Sequence, residues 1–202
     1  RRRHTRYISG TGVQTFALPI CVLTRQLAQR LPEGSYIVAT DLNAPMLAVA
    51  QHLGTARPVR WQVADALHLP FDAASFDLVV CQFGVMFFGD RPAGYAEVRR
   101  VLRPGGTWLF NAWDALEHNE FPATVMQALR PLYPVDPPSF MERLPHGYHD
   151  AAQIRADLAA AGFSAPAQVE TVAWRSRAAT PDRKSTRLNS SHTDISRMPS
   201  SA

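Results

Sequence analysis

Three groups of residues in this sequence could do chemistry. Asp41 closes an apolar run over residues 36–40, and Asp65 stands two residues beyond a second run over 58–63. A carboxylate at the carboxyl end of a strand is placed to accept hydrogen bonds from the hydroxyl or amino groups of a ligand. The ordinary alternative is a turn or helix-capping residue. Gln82 and Phe83 end a third apolar run, over 76–82, with Met46 and Met86 as further apolar groups whose default place is a core. Last, His146-Gly147-Tyr148-His149 offers groups able to orient or deprotonate a phenol or an enol-like carbon. Its alternative is that His149 or Asp150 caps the helix that follows while His146 lies on the surface. His146 and His149 form an i, i+3 pair with no third ligand, and Cys21 and Cys81 show no CxxC spacing, so no metal site is expected. Two isolated cysteines suit a reducing cytoplasm.

The elements that must position these residues alternate between strand and helix. Residues 22–31 carry Leu23, Leu27 and Leu31 on one helical face and stop before Pro32-Glu33-Gly34. Residues 36–40 read as a buried strand. Asn43 then offers an N-cap, Pro45 occupies the first turn and Gly54 ends the helix. Strands over 59–63 and 76–82 follow, the second continuously apolar as in a sheet covered on both faces. A helix over 92–102 runs into Arg103-Pro104-Gly105-Gly106, which breaks it and allows the reversal into a strand over 107–112. After a Pro-rich insert at 114–149, a helix over 150–161 and a strand over 168–174 complete the series. This order predicts an α/β fold on a mostly parallel sheet.

At 202 residues, 46% hydrophobic and 19% charged, the chain is long enough for one full core and has the composition of an ordinary globular domain. Its longest nearly apolar run, 78–88, is far short of the roughly 20 residues needed to span a bilayer. The net charge of +4 belongs to the ends. Of 21 basic and 17 acidic residues, 1–20 hold four arginines and no acid, and 183–202 hold four basic residues and Asp194. That leaves 13 basic against 16 acidic between them, so nucleic-acid binding through basic ends is a weak reading and no nucleic-acid partner is expected. The ends also differ in kind from the middle: 183–202 hold six serines and the chain's single lysine, Lys184. Both ends resemble translated sequencing adapter. They divide the chain into a non-native leader (1–21), a domain fragment (22–178, with a substrate cover at 114–149) and a non-native tail (183–202).

Four stretches in this order, IVATDLN with Asp41, VADALHLPF with Asp65, FDLVVCQFG at the fourth strand and RVLRPGG before the fifth, resemble a class I S-adenosylmethionine-dependent methyltransferase of the ubiquinone/menaquinone-biosynthesis type. The resemblance implies a Rossmann-like methyltransferase sheet, S-adenosylmethionine as cofactor and a small-molecule methyl acceptor. It gives Asp41 the ribose hydroxyls and sets Leu42 and Met46 beside the adenine. Asp65 takes the adenine amino group, with Ala66 allowing close approach of its amide, and Gln82 and Phe83 face the methionine end. His146, Tyr148 and His149 remain weak candidates for catalysis. A noncatalytic module that binds S-adenosylmethionine or a nucleotide is the other reading.

One departure stands out. The family's first strand ends in an acidic residue and three alternating glycines, which let the backbone approach the methionine carboxylate. Counting back from Asp41 puts these positions at Thr15, Ala17, Pro19 and Cys21. Gly10-Thr11-Gly12-Val13 has the right glycines, but Gly12 is 29 residues from Asp41. The expectations are therefore that the native first and last strands are missing, that both ends are irregular with 13–18 as an accidental filler of the central gap, and that this chain does not turn over.

Overall fold

The computed structural model describes residues 6–10, 21–174 and 190–199. Five parallel strands form the body of its sheet: β1 (Arg6–Gly10), β2 (Tyr36–Asp41), β3 (Arg60–Val63), β4 (Phe76–Gln82) and β5 (Leu102–Trp113). Two more, β6 (Glu170–Trp174) and β7 (Ser190–Pro199), extend it, with β7 antiparallel to both β5 and β6. The spatial order is β3-β2-β1-β4-β5-β7-β6. Helices α1 (Val22–Arg30), α2 (Ala44–Leu53), α3 (Arg91–Val101) and α6 (Ala151–Ala160) stand between strands in the sequence, and α4 (Glu120–Leu129) and α5 (Phe140–Arg143) lie within the insert.

Two expectations are corrected. The ends are not irregular throughout: the first- and last-strand slots are filled, by Arg6–Gly10 and Ser190–Pro199, so the supposed leader and tail both contribute strands. Pairing demands it: β2 and β4 both turn backbone donors and acceptors toward the central slot, and β1 satisfies both, with Gly10 opposite Thr40 and Cys81. Residues 13–18, the anticipated filler, lie outside the described residues. The second correction concerns Arg103-Pro104-Gly105-Gly106, expected as a terminator ahead of the strand. Strand pairing instead starts at Leu102 opposite Phe76 and resumes at Thr107 opposite Leu78, so 103–106 bulge out against Asp77 alone. Gly105 takes a left-handed φ of 75° there, a conformation that glycine adopts without cost.

The helices follow their local signals. Asn43 caps α2 and Asp90 caps α3, each with proline in the first turn, and the Asp150 carboxylate accepts the Ala152 N–H to open α6. The core lies under β4 and β5. Trp108 and Phe110 pack with Tyr95 and Val98 of α3, Ile154 and Leu158 of α6, and Phe163. None of the described helices is long and apolar enough to cross a membrane.

Candidate functional site

Asp41 and Asp65 come to one edge of the sheet because β2 and β3 are parallel neighbours, Asp41 pairs with Val63, and Asp65 follows two residues later. Asp41 is 5% exposed; its backbone carbonyl accepts the Ala64 N–H at 3.1 Å and its carboxylate accepts the Asn43 N–H at 2.8 Å. Asp65 is exposed and its Oδ1 accepts the Leu67 N–H at 2.9 Å. Leu42 stands 68% exposed beside Asp41, an apolar side chain left in solvent, while Met46 and Ala66 are half-buried.

The end of β4 reaches the same edge, since Cys81 pairs with Gly10, which pairs with Thr40. Gln82 brings a buried Oε1 that has no hydrogen-bond partner among the described residues, an acceptor that a ligand donor at this edge would satisfy. Phe83 is held left-handed at φ 51°, with its N–H donating to Asn111 Oδ1 at 2.8 Å and its ring stacked on Trp113, centroids 4.2 Å apart. Burial pushes the Cys81 thiol up to about 12, so it is a neutral core group rather than a nucleophile. Cys21, at the start of α1, is 1% exposed and left-handed at φ 49°. It sits at the position where the glycine count from Asp41 ends, and its backbone has the conformation that glycine favours. Gly10 ends the central strand at this same edge.

The insert forms a second half of the site. α4, α5 and the loop that follows α5 border a cavity of about 370 Å³, lined by apolar Leu116, Ala123 and Met126 and by His146, His149 and the Arg130–Glu142 ion pair. His146 is 4% exposed, correcting the alternative that placed it on the surface. Its Nδ1 lies 2.8 Å from the Asp114 carbonyl, and its ring centroid lies 6.0 Å from that of Trp113. Burial holds its imidazole below the usual histidine range. His149 Nδ1 lies 2.8 Å from the His146 carbonyl. Tyr148 does not line this cavity. Its hydroxyl donates to Asp157 at 2.7 Å, accepts from Tyr95 at 3.0 Å and is pushed up in pKa chiefly by burial, while the Arg91 guanidinium covers its ring at 4.2 Å. It ties the cover to α3 and α6.

Asn111, Trp113 and Asn119 were not singled out from the sequence. Asn111 had a signal, as the one amide inside the apolar segment LFNAW. Asn119 had none: it is 1% exposed and gives both amide hydrogens to the carbonyls of Asp114 and Ala115, supporting the carbonyl that holds His146.

The sheet order, with β3, β2, β1, β4 and β5 parallel and β7 antiparallel beside β5, is that of a Rossmann-like methyltransferase fold. Residues 20–110 match the family described as "Methyltransferase domain". It is 40% identical over 98 residues to the demethylmenaquinone methyltransferase of Deinococcus radiodurans, covering 48% of this chain and 37% of that protein. It is 30% identical over 151 residues to that of Mycolicibacterium vanbaalenii, covering 70% and 62%. The chain thus spans less than two thirds of the length of these curated relatives. A solved S-adenosylmethionine-dependent methyltransferase of Methanosarcina mazei superposes with a TM-score of 0.63 at 16% identity, over 98% of this chain and 94% of that one, which speaks to the fold.

Proposed function

We propose that this domain binds S-adenosylmethionine at the carboxyl edge of β2, β1 and β4 and serves methyl transfer to a small-molecule acceptor, in a cytoplasmic setting where the buried thiols Cys21 and Cys81 stay reduced. The observation that carries this is the convergence of Asp41, Asp65 and the unpartnered Gln82 Oε1 on one edge. Asp41 would accept the ribose hydroxyls and Asp65 the adenine amino group. Leu42 and Met46 would cover the adenine, Ala66 would let its amide approach, and Gln82 and Phe83 would face the methionine end. The cofactor, when bound, supplies an electrophilic sulfonium methyl. The protein's part is to align an acceptor with it and exclude water. A quinol-like acceptor is supported by the names of the relatives.

Cys21 bears on turnover. A side chain at this place, on a left-handed backbone, crowds the approach that the methionine carboxylate requires, and we expect the chain as it stands not to turn over. Calorimetry with S-adenosylhomocysteine tests both points. The chain is compared with a variant whose residues 11–21 are replaced by a glycine turn of the family type, and with that variant carrying Asp41→Ala. Binding is expected in the glycine-turn variant alone, with Asp41→Ala weakening it at least tenfold through loss of a charge-assisted hydrogen bond of about 1.5–3 kcal/mol. Equal affinity with and without Asp41 would overturn the cofactor site. Micromolar binding by the unaltered chain would overturn the expectation about Cys21.

A further inference from the structure

The cavity under α4 and α5 contains more than shape. Its lining brings apolar Leu116, Ala123 and the buried Met126 together with polar Gln127, Arg130 and Glu142. It also holds two imidazoles whose Nδ1 atoms both face backbone carbonyls, at 2.8 Å each. A carbonyl can only accept, so each Nδ1 carries the hydrogen and each Nε2 is left with its lone pair. Neither Nε2 has a hydrogen-bond partner among the described residues.

We propose that this cavity holds an aromatic acceptor bearing an acidic hydroxyl, with its ring against Met126 and Leu116, and that His146 Nε2 accepts the hydroxyl proton. The assignment rests on the methyl-transfer reading above. His146 is chosen over His149 by position. Its ring lies against Trp113, and Trp113 stacks on Phe83, so these ring contacts link His146 to the end of β4. His149 is exposed.

In the step, the O–H bond breaks and the proton moves to Nε2, giving an imidazolium whose Nδ1–H remains on the Asp114 carbonyl. The electron pair left on oxygen, delocalised into the ring, becomes the nucleophile. Burial keeps the imidazole neutral before the step, which is the state a base requires. The charged groups around it are Asp114, itself 3.0 Å from His118, then His149, Glu117, and Glu142 paired with Arg130. The phenolate that forms has Arg130 on the cavity wall as a cationic neighbour.

The test uses 4-nitrophenol, whose ionised form absorbs visible light, and needs no cofactor. The chain should bind it saturably, and the bound probe should ionise at lower pH than the free one. His146→Gln should raise the dissociation constant of the ionised probe at least tenfold and abolish the shift in ionisation, whereas His52→Gln, an exposed histidine on α2 that does not line the cavity, should preserve both. Ala123→Phe, which fills the cavity and leaves His146 in place, should abolish binding even if His146→Gln folds poorly. A probe that binds and ionises alike in the chain and in His146→Gln would overturn the role of His146. Failure of the unaltered chain to bind, or undiminished binding in Ala123→Phe, would overturn the cavity as the acceptor site. S-adenosylhomocysteine binding by the glycine-turn variant is read separately, so a failure of the cofactor reading is distinguished from a failure of this one.

Discussion

On one side of the Phe83–Trp113 stack, functional groups are delivered by backbone. Asp41, Asp65 and Gln82 reach a common edge because three parallel strands end there, and their order is set by the register of the ladder. On the other side, groups are delivered by side-chain packing. His146 is placed by the Asp114 carbonyl, that carbonyl is supported by Asn119, and the loop is anchored through Tyr148 to Tyr95 and Asp157. A ladder tolerates many side chains and leaves a repeated sequence signature. A packed cover depends on particular long-range partners and can change its acceptor without disturbing the sheet.

The largest expected effect separates the two regions. Asp157→Ala removes the buried acceptor of the Tyr148 hydroxyl and of Gln153 Nε2, and should destabilise the protein by about 1–3 kcal/mol in urea unfolding. In the glycine-turn variant, S-adenosylhomocysteine affinity should be unchanged by it. A parallel loss of cofactor affinity would show that the edge and the cover are one unit.

Cys21→Gly should act on the edge instead. It relieves a left-handed non-glycine residue at a cost of roughly 1 kcal/mol, offset in part by glycine's greater freedom when unfolded. A midpoint that rises or stays level in urea is expected, together with a gain in cofactor affinity. A clear fall in stability would mean that the thiol's packing outweighs the strain.

The smallest effect is in pH. His146 in the fold lies below its unfolded value of about 6.5, so the unfolded chain binds more protons. Its contribution is therefore complete above that value and is lost as pH falls below it toward the folded pKa. Urea midpoints measured from pH 7.5 to 5 should decline more steeply for the unaltered chain than for His146→Gln. Parallel declines would place the pH sensitivity elsewhere.

How much of this was readable in the sequence follows the same division. Strands β2, β4 and β5 announce themselves as apolar runs, and the caps Asn43, Asp90 and Asp150 are visible as residue types before helical patterns. The acids were legible because Asp41 closes one strand and Asp65 stands two residues beyond the next. β1 and β7 were not, because RYISG and SSHTDISRMP lack an apolar strand pattern and enter the sheet through the slots their neighbours leave. His146 looked like a surface residue in a polar tetrapeptide. Its burial comes from Trp113, Asp114 and Asn119, about thirty positions away, which no local pattern encodes.

The position of β7 also governs the order of assembly. Among the described residues β6 pairs only with β7, and β7 alone joins it to β5. As the chain emerges from the ribosome, residues 170–174 therefore have no ladder to join until residues 190–199 arrive, and the free edge of β5 stays exposed over the same interval. The last step of sheet closure is the insertion of a strand between two others rather than the addition of one at a rim. Arrival of residues 190–199, and not synthesis of the core, sets the moment at which this sheet can close.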